Sequence, residues 1–197
     1  MRSETSIRLL SGGYLDLADP DCSVVQPENI AAGLRQPRFS AQTRDFYTIA
    51  QHSLMVLDLV EPHARKIGGD KALQLRRCAL MHDATEALIH DLTRPLKIQL
   101  PDYRVIERRL DQRLRKRFGW SWTTWRTDVV KQADIHALAI EQRDINGITD
   151  PWPIFDGIDR SQLGGIRITR CWHVDEAQDR FLAAFATLLP TEERITA

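Results

Sequence analysis

The sequence has 197 residues, of which 43% are hydrophobic and 27% charged, values that fit one globular domain with its own hydrophobic core. Its 27 Lys and Arg residues balance 27 Asp and Glu residues, so no global basic field is available to attract nucleic acid or an anionic membrane. The three cysteines are widely separated, the N-terminus is too poor in apolar residues for a signal peptide, and no apolar run is long enough to span a membrane, so we expect a cytoplasmic protein.

The first 47 residues are predicted to be irregular, because Gly, Pro and Asp recur there in short turn-forming clusters. Within them, residues 14–17 can form a short strand, and residues 27–34 a short helix that starts with proline. From Thr48 the pattern becomes helical. Thr48 and Gln51 have the spacing of a capping box, and apolar residues recur at the helical period until the glycine pair 68–69.

Four further helices are predicted from the same periodicity and from the residues that end it, over 70–90, 103–118, 128–145 and 174–189. Residues 147–172 are expected to be irregular, because prolines and glycines recur there. The sequence therefore predicts an all-α fold in a single domain over 1–197. Its parts are a turn-rich segment over 1–47, a helical core over 48–145, and an irregular loop with a last helix over 146–197.

Four polar residues fall on or beside helix faces that are otherwise apolar: His52, His82, Asp83 and Asp134. His52 lies three residues after Ile49, and Asp134 has apolar neighbours four residues away on either side, so both should face inward. A buried carboxylate is costly unless it is paired, hydrogen-bonded or bound to a metal. A divalent cation held between three helices accounts for all four residues at once.

Each of these residues alone also has an ordinary explanation. His52 can be a core histidine with hydrogen-bond partners, Asp134 can pair with an arginine, and an adjacent His-Asp pair is common by chance. The set, in the order H…HD…D over three predicted helices, favours a metal centre. Three further histidines leave a second metal open: His63, His90 and His136.

This order resembles the HD-domain phosphohydrolase superfamily, whose defining pattern is H…HD…D. Residues 79–87 (ALMHDATEA) and 91–97 (DLTRPLK) resemble the bacterial 5′-deoxynucleotidase branch, in which HDxxE is followed by DLPxPxK. Residues 51–53 (QHS) resemble the EHS of that branch, with glutamine in place of glutamate, and residues 131–134 (KQAD) resemble its KxAD. The resemblance covers about residues 35 to 145.

The resemblance implies a compact HD-type helical bundle and one divalent transition metal, which can be Mn, Co, Fe, Ni or Zn. Its implied protein ligands are His52, His82, Asp83 and Asp134. Glu86, predicted to lie one helical turn after His82, and Asp91 are the implied catalytic carboxylates. One of them orients the attacking water and the other serves the 5′-oxygen leaving group, in either assignment. For Glu86 the alternative is a solvated helix carboxylate.

Three residues are candidates for binding the substrate. Arg38 and Phe39 resemble an RW pair that contacts substrate in the deoxynucleotidases, and Lys97 is a second candidate for the phosphate. Arginine can bind a phosphate with two hydrogen bonds, and an aromatic ring can stack on a base or sugar. The alternative is that Arg38 is a surface residue and Phe39 part of the core.

The expected reaction is hydrolysis of the phosphate ester of deoxyribonucleoside 5′-monophosphates by a metal-activated water. Two alternatives stay open: a deoxynucleoside triphosphate triphosphohydrolase, and a non-catalytic nucleotide-sensing module. The expected partner is a small nucleotide, with no membrane and no stable nucleic-acid partner. The basic helix over 103–118 is interpreted as a solvated face or a subunit contact, so a homo-oligomer stays open.

Overall fold

The structure, a computed structural model, describes residues 3–39, 41–147, 152–156, 163 and 165–189. The described backbone is mainly helical, which confirms the predicted all-α fold. Its helices are α1 (Pro27–Gly33), α2 (Ile49–Ile67), α3 (Gly69–Leu80), α4 (Glu86–Ile89), α5 (Arg94–Gln99), α6 (Pro101–Phe118), α7 (Thr124–Asp144) and α8 (Val174–Leu188). No helix among the described residues is long and apolar enough to cross a membrane.

The N-terminal segment contributes two small antiparallel sheets. Strands β1 (Ser6–Arg8) and β2 (Tyr14–Asp16) form the first, and β3 (Pro37–Arg38) and β4 (Tyr47–Thr48) form the second. In the second sheet Arg38 lies directly opposite Tyr47, immediately before α2 begins. The strand predicted over 14–17 and the helix predicted over 27–34 are therefore present, each one residue shorter, whereas the short partner strands carried no sequence signal.

Helix α2 lies at the centre of the bundle and packs against α3, α7 and α8. It begins where predicted, because the Thr48 side chain accepts a hydrogen bond from the Gln51 N–H at 3.1 Å. The reciprocal hydrogen bond of a capping box, from the Thr48 N–H to the Gln51 side chain, is absent. The Gln51 side chain instead donates to the Arg170 carbonyl and accepts from the Trp172 N–H, so it fastens the segment before α8 to the first turn of α2.

The prediction of one helix over 70–90 is wrong. Helix α3 ends at Leu80, residues 81–85 form tight turns, and α4 begins only at Glu86. The turns are closed by bonds from the Ala84 N–H to the Met81 carbonyl and from the Glu86 N–H to the Asp83 carbonyl. Such three-residue steps nearly preserve the helical period of the apolar residues, so periodicity alone does not reveal the break.

Other boundaries also differ from the predictions. Helix α6 begins at Pro101 and α7 at Thr124, two and four residues earlier than predicted, and α5 was not predicted. Within the stretch 147–172, residues 148–151, 157–162 and 164 lie outside the described residues. The described part of that stretch includes a short 3-10 helix, Pro153–Phe155.

One main core joins the parts of the chain, because Leu9 and Leu15 of the N-terminal segment belong to the same buried cluster as Leu189 after α8. Helix α1 packs closely on α4, and this contact depends on Gly33. A Cβ atom added at Gly33 would lie 2.1 Å from the Ala87 carbonyl oxygen, so only glycine allows the approach. The position of α4 is therefore set by α1.

We expect Gly33→Ala to destabilise the protein by about 1–3 kcal/mol, because the backbone of α4 has to move away from the added methyl group. Gly13→Ala is the matched control, since its Cβ would meet its nearest neighbour, Val24 Cβ, at an ordinary 3.4 Å. Urea unfolding of both variants measures the difference. Equal stability of the two variants would contradict the close packing of α1 on α4.

Candidate metal centre and cleft

The four predicted metal ligands converge from three segments, since α2 carries His52, the 81–85 turn carries His82 and Asp83, and α7 carries Asp134. His52 Nε2 lies 3.2 Å from His82 Nε2 and 3.1 Å from Asp134 Oδ1. Asp83 Oδ2 lies 3.2 Å from His82 Nε2 and 3.5 Å from His52 Nε2. The break after α3 presents the His-Asp pair at this point, because both residues sit in the turn rather than along a helix.

The hydrogen bonds of the two imidazoles determine what their Nε2 atoms can bind. His52 Nδ1 lies 2.6 Å from Glu141 Oε1, and His82 Nδ1 lies 2.8 Å from the Ala79 carbonyl oxygen. Both partners are acceptors, so each Nδ1 carries the hydrogen and, in a neutral ring, each Nε2 presents a lone pair. Two such lone pairs and two carboxylate oxygens repel one another unless a cation lies among them.

The electrostatics of the buried cluster favour positive charge at this point. Burial and the charge of Arg38 act to lower the pKa of His52, but Glu141 and Asp134 outweigh them and raise that pKa to about 10. Burial acts to raise the pKa of Asp83 and of Asp134, yet the two histidines keep both below the usual aspartate value. The site therefore attracts either a proton or a metal ion.

The donor set fits a divalent transition metal, which accepts imidazole nitrogen and carboxylate oxygen together. The ligand atoms of His52, His82 and Asp134 all lie within 4.8 Å of one another, a group that can hold a metal ion. Asp83 Oδ2 lies within 3.5 Å of both histidines, and the described parts of the chain contain no separate group of this kind away from these residues. His63 stacks on Trp125 instead and His90 contacts Gln36, so neither joins the cluster.

Arg38 lies inside the cluster and is not a surface residue. Its Nε atom is 3.3 Å from Glu141 Oε2, Nη1 is 3.6 Å from Asp83 Oδ2, and Nη2 is 3.8 Å from Asp134 Oδ1. The ordinary explanation considered for Asp134, pairing with an arginine, is thus present together with the histidine contacts. Arg38 compensates part of the negative charge gathered here.

Glu141 is a residue of the site that the sequence analysis missed. Its side chain is completely buried, and it contacts His52 through Oε1 and Arg38 through Oε2. The sequence does contain a signal for it, since Glu141 follows Asp134 by seven residues, two helical turns, on the same face of α7. A carboxylate at that position is as unusual on an inward face as Asp134 itself.

A cleft of about 980 Å³ opens beside this cluster. Seven of the nine predicted site residues line it: Arg38, Phe39, Asp83, Glu86, Asp91, Lys97 and Asp134. His52 and His82 are not part of the lining, and the His52 side chain is fully buried. The wall formed by Ile135, Leu138 and Trp152 is apolar, so the cleft combines a charged part with a hydrophobic part.

Glu86 and Lys97 form an ion pair within the cleft. Lys97 Nζ lies 2.9 Å from Glu86 Oε1 and 3.1 Å from Glu107 Oε1, and Glu86 is buried rather than solvated. Burial, followed by the charges of Asp83 and Asp91, raises the pKa of the Glu86 carboxyl, and Lys97 opposes this rise. Asp91 is held by its backbone, because its N–H donates to Gln36 Oε1 at 3.2 Å.

Comparison with known proteins agrees with this geometry. Residues 49–148, just over half of the chain, match the HD domain family. The chain is 35% identical over 153 residues to the uncharacterised protein YfdR of Escherichia coli K12, covering 76% of this chain and 77% of that protein. It is also 33% identical over 149 residues to an uncharacterised Rhodobacter capsulatus protein, covering 73% of this chain and 74% of the relative. The chain therefore belongs to the HD domain family and is a metal-dependent phosphohydrolase.

Proposed function

We propose that the protein hydrolyses deoxyribonucleoside 5′-monophosphates to a deoxynucleoside and inorganic phosphate. The observation that supports this most directly is the cleft, in which the metal-capable cluster and two further carboxylates lie beside an apolar wall. Its volume of about 980 Å³ is within the usual range for small-molecule sites. The phosphate belongs at the charged part of such a cleft, and the base and sugar along the apolar part.

His52, His82, Asp83 and Asp134 are the proposed protein ligands. They present two imidazole nitrogens and two carboxylate oxygens toward one another. The distances from each histidine Nε2 to the other ligand atoms are 3.1–4.0 Å. A divalent metal bound there supplies Lewis-acid activation of water and neutralises charge on the phosphate. The protein's share is to hold these four side chains in place, with His52 fully buried, His82 and Asp83 largely buried, and Asp134 partly exposed to the cleft.

Glu86 and Asp91 are the proposed catalytic carboxylates. Hydrolysis forms a bond between a water oxygen and phosphorus, breaks the bond from phosphorus to the 5′-oxygen, and moves a proton from the water to that leaving oxygen. Both residues line the cleft beside Asp83, so both can exchange protons with groups bound there. Burial raises the pKa of the Glu86 carboxyl above that of a free glutamate, the direction that favours its acting as a proton donor as well as an acceptor.

The charges of the cleft favour a monophosphate over a triphosphate. Its lining carries Arg38, Arg94 and Lys97 against Asp83, Glu86, Asp91 and Asp134. Arg38 and Lys97 are already engaged by carboxylates, which leaves Arg94 without a carboxylate partner among the described residues. With a divalent cation added the net charge is only slightly positive, which suits a phosphate dianion better than a highly charged triphosphate.

A phosphate-release assay on nucleoside mono-, di- and triphosphates with Mn²⁺, Co²⁺ or Mg²⁺ tests the proposal. We expect release of inorganic phosphate from dAMP and related monophosphates, because one phosphate matches the available charge. Release of tripolyphosphate from dATP, with monophosphates left intact, would establish the rival reaction instead. Comparison of the rates with the three metal ions identifies the preferred metal.

Metal binding should stabilise the fold, since a cation relieves the repulsion among the four ligands. At about 100 times its Kd, Mn²⁺ is expected to raise the free energy of unfolding by ~2.7 kcal/mol. Asp83→Ala should lose this stabilisation, retain no bound metal and have no hydrolase activity. Asp179→Ala changes an exposed carboxylate on α8 and should behave like the parent protein. Urea unfolding with and without Mn²⁺ measures the effect, and a fully loaded, active Asp83→Ala protein would refute the ligand assignment.

Glu86→Gln should reduce kcat by about 100- to 10,000-fold, because an amide cannot exchange a proton with the substrate. Its metal content should stay that of the parent protein, since Glu86 is not among the proposed ligands. Glu107→Gln is the matched control, because Glu107 also contacts Lys97 but does not line the cleft. Steady-state kinetics and metal analysis of both variants decide, and similar losses in the two would assign the effect to Lys97 rather than to Glu86.

A further inference from the structure

We propose that Glu141 is a positioning residue that holds two functional groups at once, the imidazole of His52 through Oε1 and the guanidinium of Arg38 through Oε2. The half that concerns His52 requires only the metal centre. The half that concerns Arg38 rests on the proposed function, together with the substrate-binding role that the family resemblance implies for Arg38. Glu141 does not line the cleft, so it acts through these two residues and not on the substrate.

The first contact fixes the orientation of a metal-facing imidazole. Glu141 Oε1 and His52 Nδ1 are 2.6 Å apart, and both side chains are fully buried. The carboxylate therefore accepts the Nδ1 hydrogen and keeps Nε2 directed at His82 and Asp134. Acceptors on the outer nitrogen of a ligating histidine fix its tautomer and ring orientation and make it a better ligand.

The second contact fixes an arginine at the wall of the cleft. Glu141 Oε2 lies 3.3 Å from Arg38 Nε, an ion pair without hydrogen-bond geometry, and both Nη atoms are directed toward Asp83 and Asp134. Arg38 lines the cleft, and its side chain is only 13% exposed. A guanidinium held at Nε can offer its two Nη groups to a phosphate without losing its anchor.

The short β3–β4 sheet brings Arg38 and Tyr47 to Glu141. Arg38 and Tyr47 are opposite each other in the β3–β4 sheet, and the Tyr47 hydroxyl also interacts with the Glu141 carboxylate. Burial, followed by the charge of Glu141, raises the pKa of Tyr47, so its hydroxyl stays protonated, although it forms no hydrogen bond among the described residues. One carboxylate on α7 thus joins the short sheet, the central helix α2 and the cleft wall.

A buried glutamate without partners would be strongly unfavourable, which argues against an incidental position. Here a histidine, an arginine and a tyrosine surround it, and two of the three are predicted site residues. Asp144 provides a contrast on the same helix. Its carboxylate pairs with Arg143 and accepts from the Ile168 N–H, contacts that fasten a loop and involve no site residue.

Glu141→Gln and Glu141→Leu test the proposal, with the Kd of Mn²⁺ and the Kd of inorganic phosphate on the Mn²⁺-loaded protein as readouts. A glutamine has one acceptor oxygen and no charge, so it cannot both accept from His52 Nδ1 and form the ion pair with Arg38. We therefore expect Glu141→Gln to weaken one of the two affinities roughly tenfold or more. Glu141→Leu removes both contacts and should weaken Mn²⁺ binding roughly 10- to 100-fold.

Asp144→Asn is the control for a general loosening of α7, and its two affinities should remain those of the parent protein. Parent-like binding of both Mn²⁺ and phosphate by Glu141→Gln would overturn the proposal, as would equal losses in Asp144→Asn. If Glu141→Leu does not fold, Glu141→Gln decides by itself. Failure of the parent protein to hydrolyse dAMP would count against the proposed function alone, because neither readout depends on turnover.

Discussion

The structure depends on one electrostatic constraint: a cluster of negative charge and imidazole lone pairs gathered in the interior where α2, the 81–85 turn and α7 meet. Within this cluster the contacts that involve His52 or His82 are 2.6–4.0 Å long. Such a cluster is tolerated in a protein interior only if positive charge is supplied to it. The surrounding fold supplies that positive charge to the cluster.

Three sources of positive charge meet this need. Arg38 reaches the cluster from the short β3–β4 sheet and contacts three of its carboxylates. Lys97, from the unpredicted helix α5, neutralises Glu86 on the cleft side. The remaining demand is met by a proton on His52 or by the divalent metal that the family binds. Competition between proton and metal at one point makes metal affinity fall as the pH decreases.

The same arrangement connects stability with function. Helix α4 carries Glu86 into the cleft, and its position is set by the contact of Gly33 with the backbone of the neighbouring residue, Ala87. Gln36 then donates to the Glu86 carbonyl at 2.6 Å and accepts from the Asp91 N–H, so one amide side chain holds the backbone at both proposed catalytic carboxylates. A phosphohydrolase needs such rigidity, because small displacements of proton-transfer groups reduce the rate strongly.

The sequence by itself determined the all-α class, the ends of α2 and the inward position of His52, because these follow from local periodicity and capping; Asp134 faces the cluster but stays partly exposed to the cleft. It also contained the ordered pattern that identifies the HD family. Only the tertiary structure decided that residues 81–85 leave the helix, that Arg38 lies among carboxylates, and that Glu141 joins His52 to Arg38. Those features depend on contacts between residues up to about a hundred positions apart, such as Arg38 with Glu141, and no local pattern encodes which distant side chain supplies the compensating charge.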